Sequence, residues 1–247
     1  MAFSLDTVKA AVLNIINKEP KKLLDIGSGD GKLLAAVAEK FPNTELHACD
    51  YTSEFMKFDG CTLAVANIDN DPLPYPDNSF DVVTITEVIE HLENYHRVIR
   101  EIHRILTPSG TVIITTPNIL NLKSRASFLK TGFWNLFGPL PLDHKNLEST
   151  AGHITPVHFY HLSYSLRHAG FSNISLGKDK TQKSSLFLLI LLYPMIVLWR
   201  LNFLRVETKK YKTVNTNNLS TTKEVNSYNA LTGRSILVSA KKTNSDL

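Results

Sequence analysis

Two clusters of residues in this 247-residue chain have the types and spacing to do chemistry. The first is Gly27-Ser28-Gly29-Asp30-Gly31, which follows the apolar run Leu23-Leu24-Asp25-Ile26. Glycines placed where a strand turns into a helix let the backbone take positive φ and approach a ligand closely, and the helix that follows offers free N–H groups. The dinucleotide fingerprint G-x-G-x-x-G would need glycine where Lys32 stands, so a nicotinamide or flavin ligand is disfavoured. The second cluster is Glu87-Val88-Ile89-Glu90-His91. If it opens a helical turn, Glu87, Glu90 and His91 fall at i, i+3 and i+4 on one face. Two carboxylates and an imidazole form half of a divalent-cation site of the Mg or Mn kind. Without a metal, His91 is a general base, since imidazole titrates near neutrality.

These clusters need elements to hold them. Lys22–Ile26, Glu45–Cys49, Cys61–Ala66, Phe80–Thr86 and Thr111–Thr116 read as strands, the last two rich in β-branched residues. Helical patterns over Lys32–Lys40 and Tyr95–Leu106 alternate with them, as does a short one near Ser53–Phe58, and Thr107-Pro-Ser-Gly110 breaks the pattern before the fifth strand. Near-continuous apolar strands separated by helices predict a parallel sheet covered on both faces. Asp50 then closes the second strand, about twenty residues after the glycines, where a carboxylate accepts both hydroxyls of a ribose. Asn67 and Ile68 follow the third strand, where they can bracket an adenine. Strand candidates at Asn173–Leu176 and Ser235–Val238 complete the pattern.

The rest of the chain divides by composition. Residues 1–20 read as a lead-in helix with Leu5, Val8, Val12, Ile15 and Ile16 on one face, and not as a signal peptide. Residues 21–178 and 233–242 form the ligand-binding domain, with an aromatic and proline-rich cap insertion at about 120–155. Residues 213–232 are polar and read as a loop. Two cysteines exclude a disulfide framework, and a net charge of +4 says little about partners.

The runs LDIGSGDG, PLPYPDNSFDVVTITEVIEHL and REIHRILTPSGTVIITTPN, with Asp50 between the first two, resemble those of class I S-adenosylmethionine (SAM)-dependent methyltransferases. The resemblance covers residues 20–120 and reaches Gly152-His-Ile and His168-Ala-Gly-Phe171. It implies a Rossmann-like α/β fold, a seven-stranded, mostly parallel sheet with helices on both faces and the last strand, near 234–240, antiparallel. It implies SAM as cofactor, with Asp25, Gly27, Ser28, Gly29, Gly31, Asp50, Tyr51, Asn67, Ile68 and Thr86 around it. The adenine-turn acid falls at Asn67 or Asp69. The Glu-Val-Ile-Glu-His run is similar to two metal-assisted subgroups, the O-methyltransferases of ubiquinone biosynthesis and the small-RNA 2′-O-methyltransferases. The latter add a later histidine, for which His153, or else His144, stands in place. The metal set is then Glu87, Glu90, His91 and His153. In metal-free relatives Glu87 orients SAM and His91 lines the acceptor site.

The expected reaction is O-methylation of a small-molecule, lipid or glycan acceptor. An RNA 2′-O-methyltransferase would use Lys123, Arg125, Lys130, Phe133 and Trp134 as a groove; nucleic acid is the weaker partner. A SAM-fold scaffold without activity is the third reading, against which the intact glycine loop stands. His158, His161 and His168 read as surface or packing residues. Finally, Leu186–Trp199 is a charge-free run of fourteen residues, kinked by Pro194 and short for a membrane span, within a basic stretch from 179 to 212. It predicts a cytoplasmic enzyme held peripherally on the inner membrane face.

Overall fold

The computed structural model describes residues 5–140, 142 and 152–243. Seven strands form one sheet: β1 (Lys22–Ile26), β2 (Glu45–Asp50), β3 (Thr62–Val65), β4 (Phe80–Thr86), β5 (Leu106–Pro117), β6 (Phe171–Lys178) and β7 (Ser235–Lys242). Their order is β3-β2-β1-β4-β5-β7-β6. The first five run parallel, and β7 lies antiparallel between β5 and β6. The helices are α1 (Leu5–Ile15), α2 (Lys32–Lys40), α3 (Tyr95–Ile105), α4 (Leu122–Thr131), α5 (Phe159–His168), α6 (Lys183–Val206), α7 (Leu219–Glu224) and α8 (Tyr228–Thr232).

Strand alternation explains the continuous apolar runs. Leu24, Ile26, Val83, Ile85, Val112 and Ile114 face one layer, packed on α3 (Val98, Ile99, Ile102, Ile105) and α5 (Phe159, Leu162, Leu166). Leu23, Leu46, Ala48, Val82 and Ile113 face the other, packed on α1 (Val8, Val12), on Ile16 just after it, and on α2 (Leu33, Leu34, Val37). Both faces of the central strands are therefore dry, as a sheet with helices on both sides requires.

Four expectations change. Residues 53–58 form turns and bends and no helix. Thr107–Gly110 is taken into β5, which starts directly at the end of α3. The polar stretch 213–232 holds α7 and α8, held down by the Arg125 guanidinium, which donates to Asn226 Oδ1 (2.9 Å) and the Val225 carbonyl (3.0 Å). The charge-free run is the middle of a 24-residue helix that continues through Pro194. Of the cap insertion, residues 141, 143–151 and hence His144 lie outside the described residues; α4 fills its first part.

Candidate active site

The carboxyl ends of β1, β2, β3 and β4 open onto two adjoining cavities. The first, about 400 Å³, is lined by Asp25, Gly27, Ser28, Gly29, Thr86, Glu87, Glu90, His91, His153 and Arg234, with Val8, Lys9, Lys32 and Leu33 from α1 and α2 among its walls. The second, about 730 Å³, is lined by Gly27, Gly29, Asp50, Tyr51, Asn67, Ile68 and Asp69, closed by Val88, His91 and Ile154. Gly31 lines neither; a Cβ there would meet Met56 and Phe58, so its role is to let that segment pack close.

The glycine loop is held from below. The Asp50 carboxylate accepts from the Gly29 N–H (2.8 Å, Oδ2) and from the Tyr51 N–H (2.8 Å, Oδ1), which ties the loop to the end of β2. Gly27 and Gly29 have φ of +69° and +51°. A Cβ on Gly27 would lie 2.2 Å from Val88 Cγ2, whereas one on Gly29 would meet no heavy atom within 4 Å. Gly27 is thus a packing glycine, and Gly29 leaves the space of a cradle open on the cavity side. Ser28 Oγ is buried without a partner. An open cradle, an orphaned hydroxyl and a carboxylate at the end of β2 fit the methionine and ribose parts of SAM, and Asn67 and Ile68 line the adjoining cavity.

The turn after β3 is supported by groups that lack a local sequence signal. Asp69 accepts from the N–H groups of Glu93 (2.9 Å) and Asn94 (3.1 Å), and Arg97 of α3 donates to the carbonyls of Ile68 (2.8 Å) and Asp71 (2.7 Å). Asp69 therefore anchors the turn to the start of α3, while Asn67 Oδ1 accepts the Asp69 N–H (3.2 Å).

Glu87, Glu90 and His91 do not share a helical face. β4 ends with Glu87 in the left-handed region (φ +54°), and only Ile89–His91 forms a single 3-10 turn. The Glu87 N–H donates to Thr115 Oγ1 on β5 (3.1 Å), and its carboxylate, with Oε1 buried and unpartnered, lines the first cavity near Arg234. The set brought together is Glu90, His91 and His153, whose candidate ligand atoms lie within 4.8 Å of one another. His91 Nδ1–H donates to the Gly152 carbonyl (2.9 Å) and His153 Nδ1–H to the Leu136 carbonyl (2.8 Å). Each ring therefore keeps its Nε2 lone pair, and burial lowers both pKa values, which keeps both rings neutral. Glu90 Oε2 accepts from Thr116 Oγ1 (2.9 Å), while Oε1 is buried and unpartnered. Burial first, and the neighbouring Glu87 second, raise the Glu90 pKa well above the usual carboxylate range. An orphaned carboxylate oxygen beside two pinned imidazoles is a donor set that fits a hard or borderline divalent cation.

Arg234 was not anticipated as a site residue. It forms a buried ion pair with Asp179 (2.7 Å) and brings the start of β7 to the first cavity. α1 was expected only as a lead-in, yet Val8 and Lys9 help to wall that cavity. Among the remaining histidines, His158 Nδ1 caps α5 by accepting the Tyr160 N–H (3.1 Å), and His161 packs on its ring. The basic groove is weakened, since Arg125 also donates to the Leu120 carbonyl (2.7 Å) and is spent on internal contacts, and Trp134 stacks on Phe128.

Residues 24–114 match a methyltransferase domain family. Demethylmenaquinone methyltransferase of Thermus thermophilus is 29% identical over 113 residues, 43% of this chain and 51% of that protein. Malonyl-[acyl-carrier protein] O-methyltransferase of Halorhodospira halophila is 26% identical over 114 residues, 42% of this chain and 37% of that protein. The chain thus spans about half or less of the length of these relatives. A SAM-dependent methyltransferase from Archaeoglobus fulgidus superposes over 97% of this chain and 95% of its own, with TM-score 0.60 and 18% identity, a likeness of fold. With the strand order and the glycine loop in place, residues 24–114 are similar to a methyltransferase domain, set in a Rossmann-like sheet of the kind that the S-adenosylmethionine-dependent methyltransferases share.

Proposed function

We propose that the chain methylates an oxygen of a small-molecule, lipid or glycan acceptor held in the first cavity. The observation that carries this reading is His91. Among the described residues it is the one side chain that lines both cavities, and its Nδ1–H is committed to Gly152, which leaves Nε2 as an acceptor. SAM, when bound, supplies a methyl group already activated on a positively charged sulfur. What the chain must add is alignment, exclusion of water and relief of the acceptor's proton. A hydroxyl needs that relief more than an amine does, and a neutral imidazole at the junction of the cavities offers it.

Glu90 and His153 extend the same site. With His91 they would hold a divalent cation such as Mg or Mn, which would lower the pKa of a coordinated acceptor hydroxyl. Without a cation, His91 acts alone. Glu87 lines the same cavity at the end of β4, outside this three-residue set.

The test is an acceptor screen with methyl-labelled SAM against phenols, a lipid extract, oligosaccharides and total RNA, each with and without chelator. Label on an oxygen of a non-nucleic acceptor supports the reading. Label confined to nitrogen or carbon, or to RNA, overturns it. Loss of turnover on chelation assigns the cation version, and undiminished turnover assigns His91 as base.

A further inference from the structure

Among the described residues, α6 is the one helix long and apolar enough to cross a membrane. Its most apolar 18-residue window has a mean hydropathy of 2.0 and is 6% buried. Phe187, Ile190, Leu191, Leu198 and Trp199 are each between 64% and 74% exposed. At about 100° per residue these and the exposed Tyr193, Leu201 and Phe203 spread over roughly three-quarters of the helix circumference. A second protein surface, or a second copy of this chain, covers one stripe of a helix; a lipid phase covers all sides. The rims are basic. Lys178, Lys180, Lys183, Arg200, Arg205, Lys209, Lys210 and Lys212 face two acids, Asp179 and Glu207, and Asp179 is already consumed by Arg234.

Length and composition alone would let α6 cross a bilayer, but its tethers forbid it. The foot is rooted in the domain: Ser185 Oγ accepts the Lys123 N–H (3.1 Å), the Gln182 N–H donates to the Thr232 carbonyl (2.7 Å), and the Arg234 N–H donates to the Lys180 carbonyl (3.0 Å). The far end, after a π-helical turn over Glu207–Tyr211, must return to α7, which packs on α5. Only Lys212 to Asn218 lie between, a reach of at most about 28 Å fully extended. They are not extended: Asn218 Nδ2 donates to the Thr213 carbonyl (2.8 Å) and Asn218 Oδ1 accepts the Asn215 N–H (2.9 Å). Crossing a hydrocarbon core of about 30 Å would drag this polar turn back through it. Both ends of α6 must stay on one side.

We infer that α6 is a one-sided membrane anchor, lying in the face of an anionic bilayer with its apolar circumference among the upper acyl chains and its Lys and Arg rim among the phosphates. Arg200 interrupts the apolar run where its long stem can reach the headgroups, and Tyr193 and Trp199 suit the interfacial level. The root at 180–182 pairs with the segment that carries Arg234, so the anchor is fixed beside the first cavity. This inference rests on α6 alone and stands or falls separately from the methyl acceptor.

The experiment is flotation of the full chain with vesicles of phosphatidylcholine, with and without phosphatidylglycerol, combined with Trp199 fluorescence in the Trp134→Phe variant. The expected result is flotation with the anionic vesicles, weakened by salt and reduced about tenfold or more by the triple change Phe187→Glu, Leu191→Glu, Leu198→Glu. These positions are exposed, so unchanged circular dichroism and S-adenosylhomocysteine binding will show an intact fold. Lipids brominated near the headgroup should quench Trp199 more than lipids brominated at the chain end. Stronger quenching from the chain end overturns the one-sided placement. A chain that stays at the bottom of the gradient while light scattering shows a dimer that the triple change dissolves overturns the membrane inference in favour of self-association. A chain that neither floats nor dimerises overturns it outright.

Discussion

Gly27 and Gly29 look equivalent in the sequence and should respond differently to the same perturbation. Both have positive φ, so Gly→Ala at either costs about 1–2 kcal/mol for a left-handed alanine. At Gly29 nothing further is owed by the protein itself, because the added methyl points into open space. At Gly27 the methyl would lie 2.2 Å from Val88 Cγ2 and 3.3 Å from Val88 Cβ and Cγ1. Val88 must retreat by about 1 Å, and overpacking of that kind adds about 1–3 kcal/mol. Its carbonyl accepts the His91 N–H (2.9 Å), so the retreat also disturbs His91. Denaturant unfolding of the ligand-free protein should give a loss of about 1–2 kcal/mol for Gly29→Ala and about 2–5 kcal/mol for Gly27→Ala. In calorimetry with S-adenosylhomocysteine, Gly29→Ala should lose affinity about tenfold or more, because its methyl occupies the cradle. The decisive measurement is the double-mutant cycle with Val88→Ala. It should return about 1–3 kcal/mol to Gly27→Ala and nothing to Gly29→Ala. Equal destabilisation by the two alanines, or no coupling of Gly27→Ala to Val88→Ala, would refute the assignment of one glycine to packing and the other to the ligand.

Three further outcomes are expected. His91→Asn should lower kcat by about 10²–10⁴-fold while S-adenosylhomocysteine affinity stays within a few-fold, measured by turnover and calorimetry; a large loss of affinity instead would make His91 a binding group. Burial pushes the Asp25 carboxyl up to about 7, with the Thr84 hydroxyl bond opposing it, so the folded state holds a proton that the unfolded state has released. Its contribution is therefore present at low pH and lost as pH rises from about 4 through about 7, by at most about 4 kcal/mol, and Asp25→Asn should flatten that part of the stability–pH curve; parallel curves for the two proteins would contradict it. Manganese titrated into the protein and followed by electron paramagnetic resonance should bind, and His153→Ala should weaken that binding about tenfold or more; an identical isotherm for the variant would remove His153 from the donor set.

What could be read in the sequence depended on whether a signal is local. The strands and α3 were legible because apolar periodicity is a property of adjacent residues, and the glycine loop because only glycine serves there. The placement of Glu87 was not, because a left-handed turn at a glutamate leaves no mark in residue type. The expected face shared by Glu87, Glu90 and His91 dissolved for that reason, while His91 and His153 still met. Arg234 and α1 reach the cavity through tertiary packing over long sequence separations, and nothing near them announces it. α7 and α8 are short and polar, and they exist because Arg125 and the domain surface capture their carbonyls and side chains rather than because their residues favour helix.

The position of β7 also orders the birth of the molecule. Among the described residues β6 has β7 as its sole neighbour in the sheet, yet the whole of α6 is translated between them. As the chain leaves the ribosome, β1 to β5 can assemble first, while β6 waits at an unfinished edge. The apolar helix then emerges before the strand that completes the domain. If α6 is a membrane anchor as inferred above, the bilayer would receive it from a nascent, incomplete protein, which in water would carry an open sheet edge and an exposed apolar helix together. Under that inference, this order of elements favours synthesis close to the membrane.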